Sequence, residues 1–154
     1  LRNPVRADRS GLQKLRFPCE GHVYDLLNGK YLGRGREAET FLTEERPAAV
    51  FGVYPYQVKR LNVTLPGRGR AGSDLAAEIA AEPDSGSPGR HLFHVELVFP
   101  GRRTRHHMKR NLPAENGALA FRFRMAFNDP KGRWILRVKD VMSGMTREKS
   151  FILE

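Results

Sequence analysis

The sequence predicts an all-β protein built as an antiparallel sandwich of two packed sheets, and three features carry that expectation. Leu119, Phe121, Phe123, Met125 and Phe127 fall on every second position with Ala120, Arg122, Arg124 and Ala126 between them, so one strand face is apolar and the other wet. Two further alternating segments follow, separated by the turn-forming Asn128-Asp129-Pro130 and Ser143-Gly144. Along the rest of the chain about nine or ten such segments recur at intervals of roughly 8 to 15 residues with short connections, the spacing of a sandwich.

Residues 1–16 combine Pro4, Gly11 and several charges without a sustained period; they read as a linker arriving from a preceding domain, with 17–154 as the sandwich domain. Residues 22–27 and 30–33 flank Asn28-Gly29, a strong hairpin signal, because both central positions of a type I′ turn need positive φ. Residues 40–43 and 48–54 are expected as two short strands parted by the turn at Pro47, and Pro55 then punctuates the chain. Residues 58–65 alternate, with Leu61, Val63 and Leu65 on one face.

Residues 74–82 are ambiguous. Ser73 or Asp74 could cap a short alanine-rich helix, yet Leu75, Ala77, Ile79 and Ala81 also share a face at period two, and strand is the favoured reading among strand neighbours. After a flexible turn at 84–89, residues 91–99 alternate with Phe93, Val95, Leu97 and Phe99 inward. Pro100-Gly101 turns the chain back into a polar strand at 105–111, which has little to bury apart from Met108 and is expected at a sheet edge, where positive charge discourages pairing with another molecule.

Composition narrows the function classes. A chain of 154 residues suits one core, and the start at Leu1 suggests a module of a longer polypeptide or a processed chain. No apolar run approaches the roughly 18 to 20 residues needed to cross a bilayer as a helix. The single Cys19 permits no internal disulfide. The net charge of +10 would suit phosphate partners, but the basic residues are spread over several turns, which argues against nucleic acid.

Candidate chemistry is sparse. His91, His94, His106 and His107 are read as surface histidines, since neighbours in each pair point to opposite faces and no third ligand completes a metal site. Asp25, Glu44, Glu45, Glu96, Asp129 and Asp140 lie in separate turns and strands and form no recognisable acid–base pair, so no catalytic residue is assigned. Residues 67–72 are glycine-rich but lack the remainder of a phosphate loop and read as a mobile turn. Trp134 falls in phase with Leu136 and Val138 and is expected in the core, whereas Tyr54 and Tyr56, flanking Pro55, are the better exposed aromatics and could stack on a sugar ring. Arg102, Arg103, Arg105, His107, Lys109 and Arg110 make an electropositive hairpin with the geometry to bind an anionic polysaccharide or nucleic acid.

The segments GHVYD at 21–25, NGKYLG at 28–33, NDPKGRW at 128–134 and VKDVMSG at 138–144 together resemble the C-terminal immunoglobulin-like sandwich modules of large secreted bacterial proteins related to glycoside hydrolases, notably those with a β-galactosidase-type trimerisation domain. They are also similar to macroglobulin-like and bacterial immunoglobulin-like repeats. The resemblance runs from about residue 21 to 153 and implies an immunoglobulin-like fold and no catalytic residue; from the residues themselves no cofactor or metal is expected. It further implies that the chemistry belongs to another domain of the same exported polypeptide, outside the cytoplasm, with that domain and carbohydrate as partners. The basic hairpin at 102–110 departs from the family pattern.

Overall fold

A computed structural model describes residues 11–101 and 103–154, with side chains described for all of these except 103–108. The described residues form eleven strands and one short 3-10 turn, arranged as two compact units divided between Pro55 and Tyr56. No helix among them is long and apolar enough to cross a membrane.

The first unit is one antiparallel sheet. β1 (Gly11–Asp25) lies between β2 (Lys30–Leu42) and β3 (Phe51–Tyr54). The β1–β2 register shifts between Arg16 and Gly21, where Pro18 has no N–H to offer the ladder. Beyond that shift β3 pairs only with His22–Asp25. Gly21 is required there, because a Cβ at this position would lie 2.6 Å from Val53 Cγ1 and 2.8 Å from the Tyr54 carbonyl oxygen. Residues 11–16, expected as linker, are strand paired with residues 37–42; the cross-strand pairing holds them, and their own pattern did not announce it. Residues 1–10 of that expected linker lie outside the described residues.

The hairpin expected around Asn28-Gly29 forms, but not with the expected turn. Four residues, 26–29, separate the paired Asp25 and Lys30, and only Gly29 has positive φ, +60°. Asp25 is the reason: its carboxylate accepts the Asn28 backbone N–H at 3.0 Å and the Asn28 amide at 2.6 Å, holding a wider loop. Residues 40–42 continue β2, so no separate short strand forms there.

The second unit is a two-sheet sandwich. β4 (Val58–Thr64), β6 (Asp74–Pro83) and β9 (Ala118–Arg124) form one sheet in the order β4-β6-β9. The other has the order β5-β11-β10-β7-β8, with β5 (Arg68–Gly69), β7 (His91–Phe99), β8 (Arg103–Ala114), β10 (Gly132–Asp140) and β11 (Thr146–Leu153). All pairings are antiparallel except β5 with β11. β8 is an outer strand, as its polar sequence requires.

The core lies between these sheets. Trp134, Leu136 and Val138 point in from β10, Phe93 and Val95 from β7, Phe151 and Leu153 from β11, and Leu75, Ala77, Ile79 and Ala81 from β6. The Trp134 and Phe151 rings stack with centroids 6.2 Å apart, and Phe123 meets Phe151 from the opposite sheet at 6.1 Å. β6 settles the ambiguity at 74–82: it is the central strand of its sheet, bonded on both sides, and that pairing with burial of four apolar side chains overrides the helical preference of alanine.

Two expectations for this unit are corrected. Residues 67–72 are not a mobile turn, because the Gly67 and Gly69 carbonyls accept the N–H groups of Ile152 and Glu154 at 3.0 and 2.9 Å and so occupy the free edge of β11. Phe127 does not extend the apolar row of β9, which ends at Arg124; the ring is 83% exposed on the following loop.

Candidate functional site

Three features of the second unit combine chemically capable residues. The first is a buried polar chain. Tyr56 Oη lies 3.1 Å from His91 Nε2, His91 Nδ1 lies 3.0 Å from Asp140 Oδ1, and Ser143 donates its hydroxyl (2.5 Å) and backbone N–H (3.2 Å) to Asp140 Oδ2. The His91 and Asp140 side chains are 0% exposed. Burial pushes the Tyr56 hydroxyl above its ordinary pKa; the Gly89 N–H bonded to it opposes this and the Asp140 charge adds to it. The phenol therefore keeps its proton, and one assignment satisfies every member: Tyr56 accepts from Gly89 and donates to His91 Nε2, while His91 donates from Nδ1 to Asp140.

Local sequence explains the ends of this chain of bonds. Asp140 closes β10 and caps the tight turn into β11, where Gly144 N–H bonds the Asp140 carbonyl at 2.8 Å with φ of +74°. Val141 N–H bonds the Leu92 carbonyl, fastening the turn to β7.

The second feature is an ion cluster on the outer face of the five-stranded sheet. Register places Glu96 between Lys109 and Arg137, and its carboxylate lies 3.1 Å from Lys109 Nζ, 3.3 Å from Arg137 and 3.2 Å from His94 Nε2. Burial alone would push the Glu96 carboxyl up, but hydrogen bonds and charge from Lys109 and His94 hold it below its ordinary value. A carboxylate with a depressed folded pKa stabilises the fold above its ordinary value, near 4.3, and that contribution disappears as pH falls through the folded pKa. Glu96→Gln should therefore lose about 1 kcal/mol at pH 7 and less than that relative to the parent at pH 3. Urea melts at both pH values check this, and an equal loss at pH 3 would contradict it.

The third feature is a groove of about 380 Å³ bordered by β8 and β9, the outer strands of the two sheets. Its apolar wall combines Val95, Leu97 and Leu112 with Phe121 and Phe123, whose rings tilt against each other at 5.7 Å. Arg110 and Arg124 line it with Asn128 and Asp129 of the loop after β9. Asp129 is occupied locally, accepting the Ala126 N–H at 2.7 Å. Neither arginine has an ion-pair partner among the described residues, whereas Arg60, Arg68 and Arg90 each have one and Arg137 has two.

The expected site residues are dispersed. Arg102 lies outside the described residues, as do the side chains of Arg103, Arg105, His106 and His107. Lys109 and Arg110 occupy opposite faces of β8: Lys109 pairs with Glu96 outside, while Arg110 stands opposite the inward Val95. Tyr56 is not an exposed stacking residue; it is 3% exposed and held by Gly89 and His91. Tyr54 is half-buried in the first unit with its ring edge-on to Tyr24.

His91 is not a surface histidine either. It shares the inward phase of Phe93, Val95 and Leu97, which was a readable signal, but Asp140 lies 49 residues away and no spacing announces that pair. His94, three residues on, does face the other way and bonds Asn111 at 2.7 Å.

No family model matches the chain, and no curated protein matches it. Solved structures similar to parts of it include a superoxide reductase (neelaredoxin) from Ignicoccus hospitalis, 10% identical over 63% of this chain and 82% of that one, with a TM-score of 0.45. A mutant beta-glucosidase from Listeria innocua in complex with laminaribiose is 14% identical over 64% of this chain and 16% of its own length, with a TM-score of 0.43. The PKD domain of an M14-like peptidase from a Thermoplasmatales archaeon is 15% identical over 60% and 91%, with a TM-score of 0.38.

Proposed function

We propose that this chain is a non-catalytic accessory module with an immunoglobulin-like sandwich, serving domain packing or assembly in a larger exported carbohydrate-active protein. The observation that carries the non-catalytic reading is the sealed Tyr56–His91–Asp140–Ser143 chain. It contains the residue types of an acid–base relay, yet Ser143 bonds Asp140 instead of the imidazole, and the His91 and Asp140 side chains are closed to solvent. Its bonds tie the turn after β10 to the start of β7 and to Tyr56.

The immunoglobulin-like assignment is supported by the strand order. β4, β6 and β9 oppose a sheet containing β7, β10 and β11, and the chain switches sheets through β5 to run parallel with the last strand. The carbohydrate-active parent and the exported location rest on the motif resemblance.

The purified chain is expected to hydrolyse none of a panel of chromogenic β-glucosides and β-galactosides above the buffer rate. The remainder of the polypeptide encoded in the same reading frame, added in trans, should raise its melting temperature by at least about 2 °C. Turnover that co-purifies with the chain, or a frame encoding nothing beyond it, would sink the reading. The outer position of β8 favours a second one, in which its basic residues bind an anionic polysaccharide. That reading requires retention on heparin that weakens between low and moderate salt and is lost in the Arg103→Ala/Arg105→Ala variant.

A further inference from the structure

The groove between β8 and β9 has a composition that packing alone does not require. Phe121 is only half-buried although it shares the inward phase of Phe123, because among the described residues no strand pairs beyond β8 or β9 to cover it. Beside this apolar wall stand two arginines without an ion-pair partner among the described residues and one aspartate engaged with its own loop backbone. Among the described lining residues, two positive charges against one negative leave a single excess positive charge. A volume of about 380 Å³ lies at the small end of ligand sites, which run from roughly 300 to 1,000 Å³, so the space suits a compact molecule and not a polymer.

We infer that this groove is a binding site for a small amphipathic monocarboxylate, its apolar ring or short acyl body lodged against Phe121, Phe123 and Leu112 and its carboxylate taken by Arg110 and Arg124. The division of labour follows from the chemistry. An aromatic and aliphatic wall rewards desolvation of the body, and a planar guanidinium offers a carboxylate paired, charge-assisted hydrogen bonds. Arg110 is the principal anion contact because it sits on the inward side of β8, opposite Val95. Arg124, at the end of β9, closes the other side of the lining. The site is separate from the accessory role: a packing module can carry it or lack it, and the two fail in different experiments.

The probe is 2-naphthoate, titrated into the full chain and followed by amide chemical shifts. Binding with a dissociation constant below about 1 mM is expected, with the largest shifts at Leu112, Phe121, Ala126 and Asp129. The uncharged isostere 2-naphthamide should bind at least about 10-fold more weakly, Arg110→Ala should lower affinity for naphthoate about 10-fold, and Arg124→Ala should lower it at least about 3-fold. Arg122→Ala, which removes a β9 charge that is not among the described lining residues of the groove, should leave affinity unchanged and serves as the matched charge control. Because all three arginine positions are exposed or peripheral to the core, folding is checked by unchanged remote amide shifts. Equal affinity for naphthamide, equal weakening by Arg122→Ala, shifts centred away from the groove, or no binding at 5 mM probe would each overturn the site.

Discussion

Replacing Trp134 by alanine is expected to remove about 3–5 kcal/mol of stability from the second unit, a large fraction of a domain total of order 5–15 kcal/mol. The indole is 0% exposed, stacks on Phe151 and meets Phe99 at 5.9 Å. Its Nε1–H donates to the Pro130 carbonyl at 2.8 Å, so the same side chain also holds the loop before β10. Trp134→Phe separates these contributions: it keeps most of the apolar contact and deletes the hydrogen bond, for a loss of about 1–2 kcal/mol. Urea unfolding monitored by far-UV circular dichroism measures both. If Trp134→Ala lost less than about 1 kcal/mol, the assignment of the indole as the centre of the core would be wrong.

Asp140→Ala should be comparably severe, at about 3–5 kcal/mol, for an electrostatic reason. Its carboxylate satisfies His91 Nδ1 and two donors of Ser143 inside a region closed to water. Removing it leaves those groups buried without partners, which is worse than never having placed them there. The double substitution Asp140→Ala/His91→Phe tests this directly. Taking out the imidazole should recover at least about 1 kcal/mol relative to the sum of the single losses, because one stranded polar group is gone. Additive losses would show that the network contributes by shape and not by paired burial. Both variants also separate the structural role of this network from any catalytic one, since no bound substrate is needed to see the effect.

The parts of the fold legible in the sequence are those with short-range causes. Period-two alternation in 91–99, 118–124 and 132–140 states which side chains face inward, and the structure buries Phe93, Val95, Phe123, Trp134, Leu136 and Val138 accordingly. The polar content of 105–111 is tolerable only at a sheet edge, and β8 is there. The turn of 128–130 was likewise readable, because Asp129 bonds backbone three residues before it.

Other features had no local cause to read. Residues 11–16 carry no strand pattern of their own and are strand because residues 37–42 pair with them. The glycine-rich stretch at 67–72 looks like a turn until the free edge of β11 supplies hydrogen-bond partners 85 residues away, as between Gly67 and Ile152. Whether Phe127 continued the apolar row depended on where β6 stopped pairing with β9, at Arg124.

The candidate site divides the same way. The sequence by itself determined an all-β chain, the inward identity of its core residues, the outward placement of most of its charge and the edge character of β8, because each follows from a repeat of two residues and the chemistry of neighbours. Only the tertiary structure decided that Tyr56, His91, Asp140 and Ser143 meet, that Lys109 is committed to Glu96, and that Arg110 instead joins Arg124 and Phe121 around a groove. Those outcomes depend on register between strands far apart in the chain, and register is set by the packing of the whole sheet rather than by any local pattern.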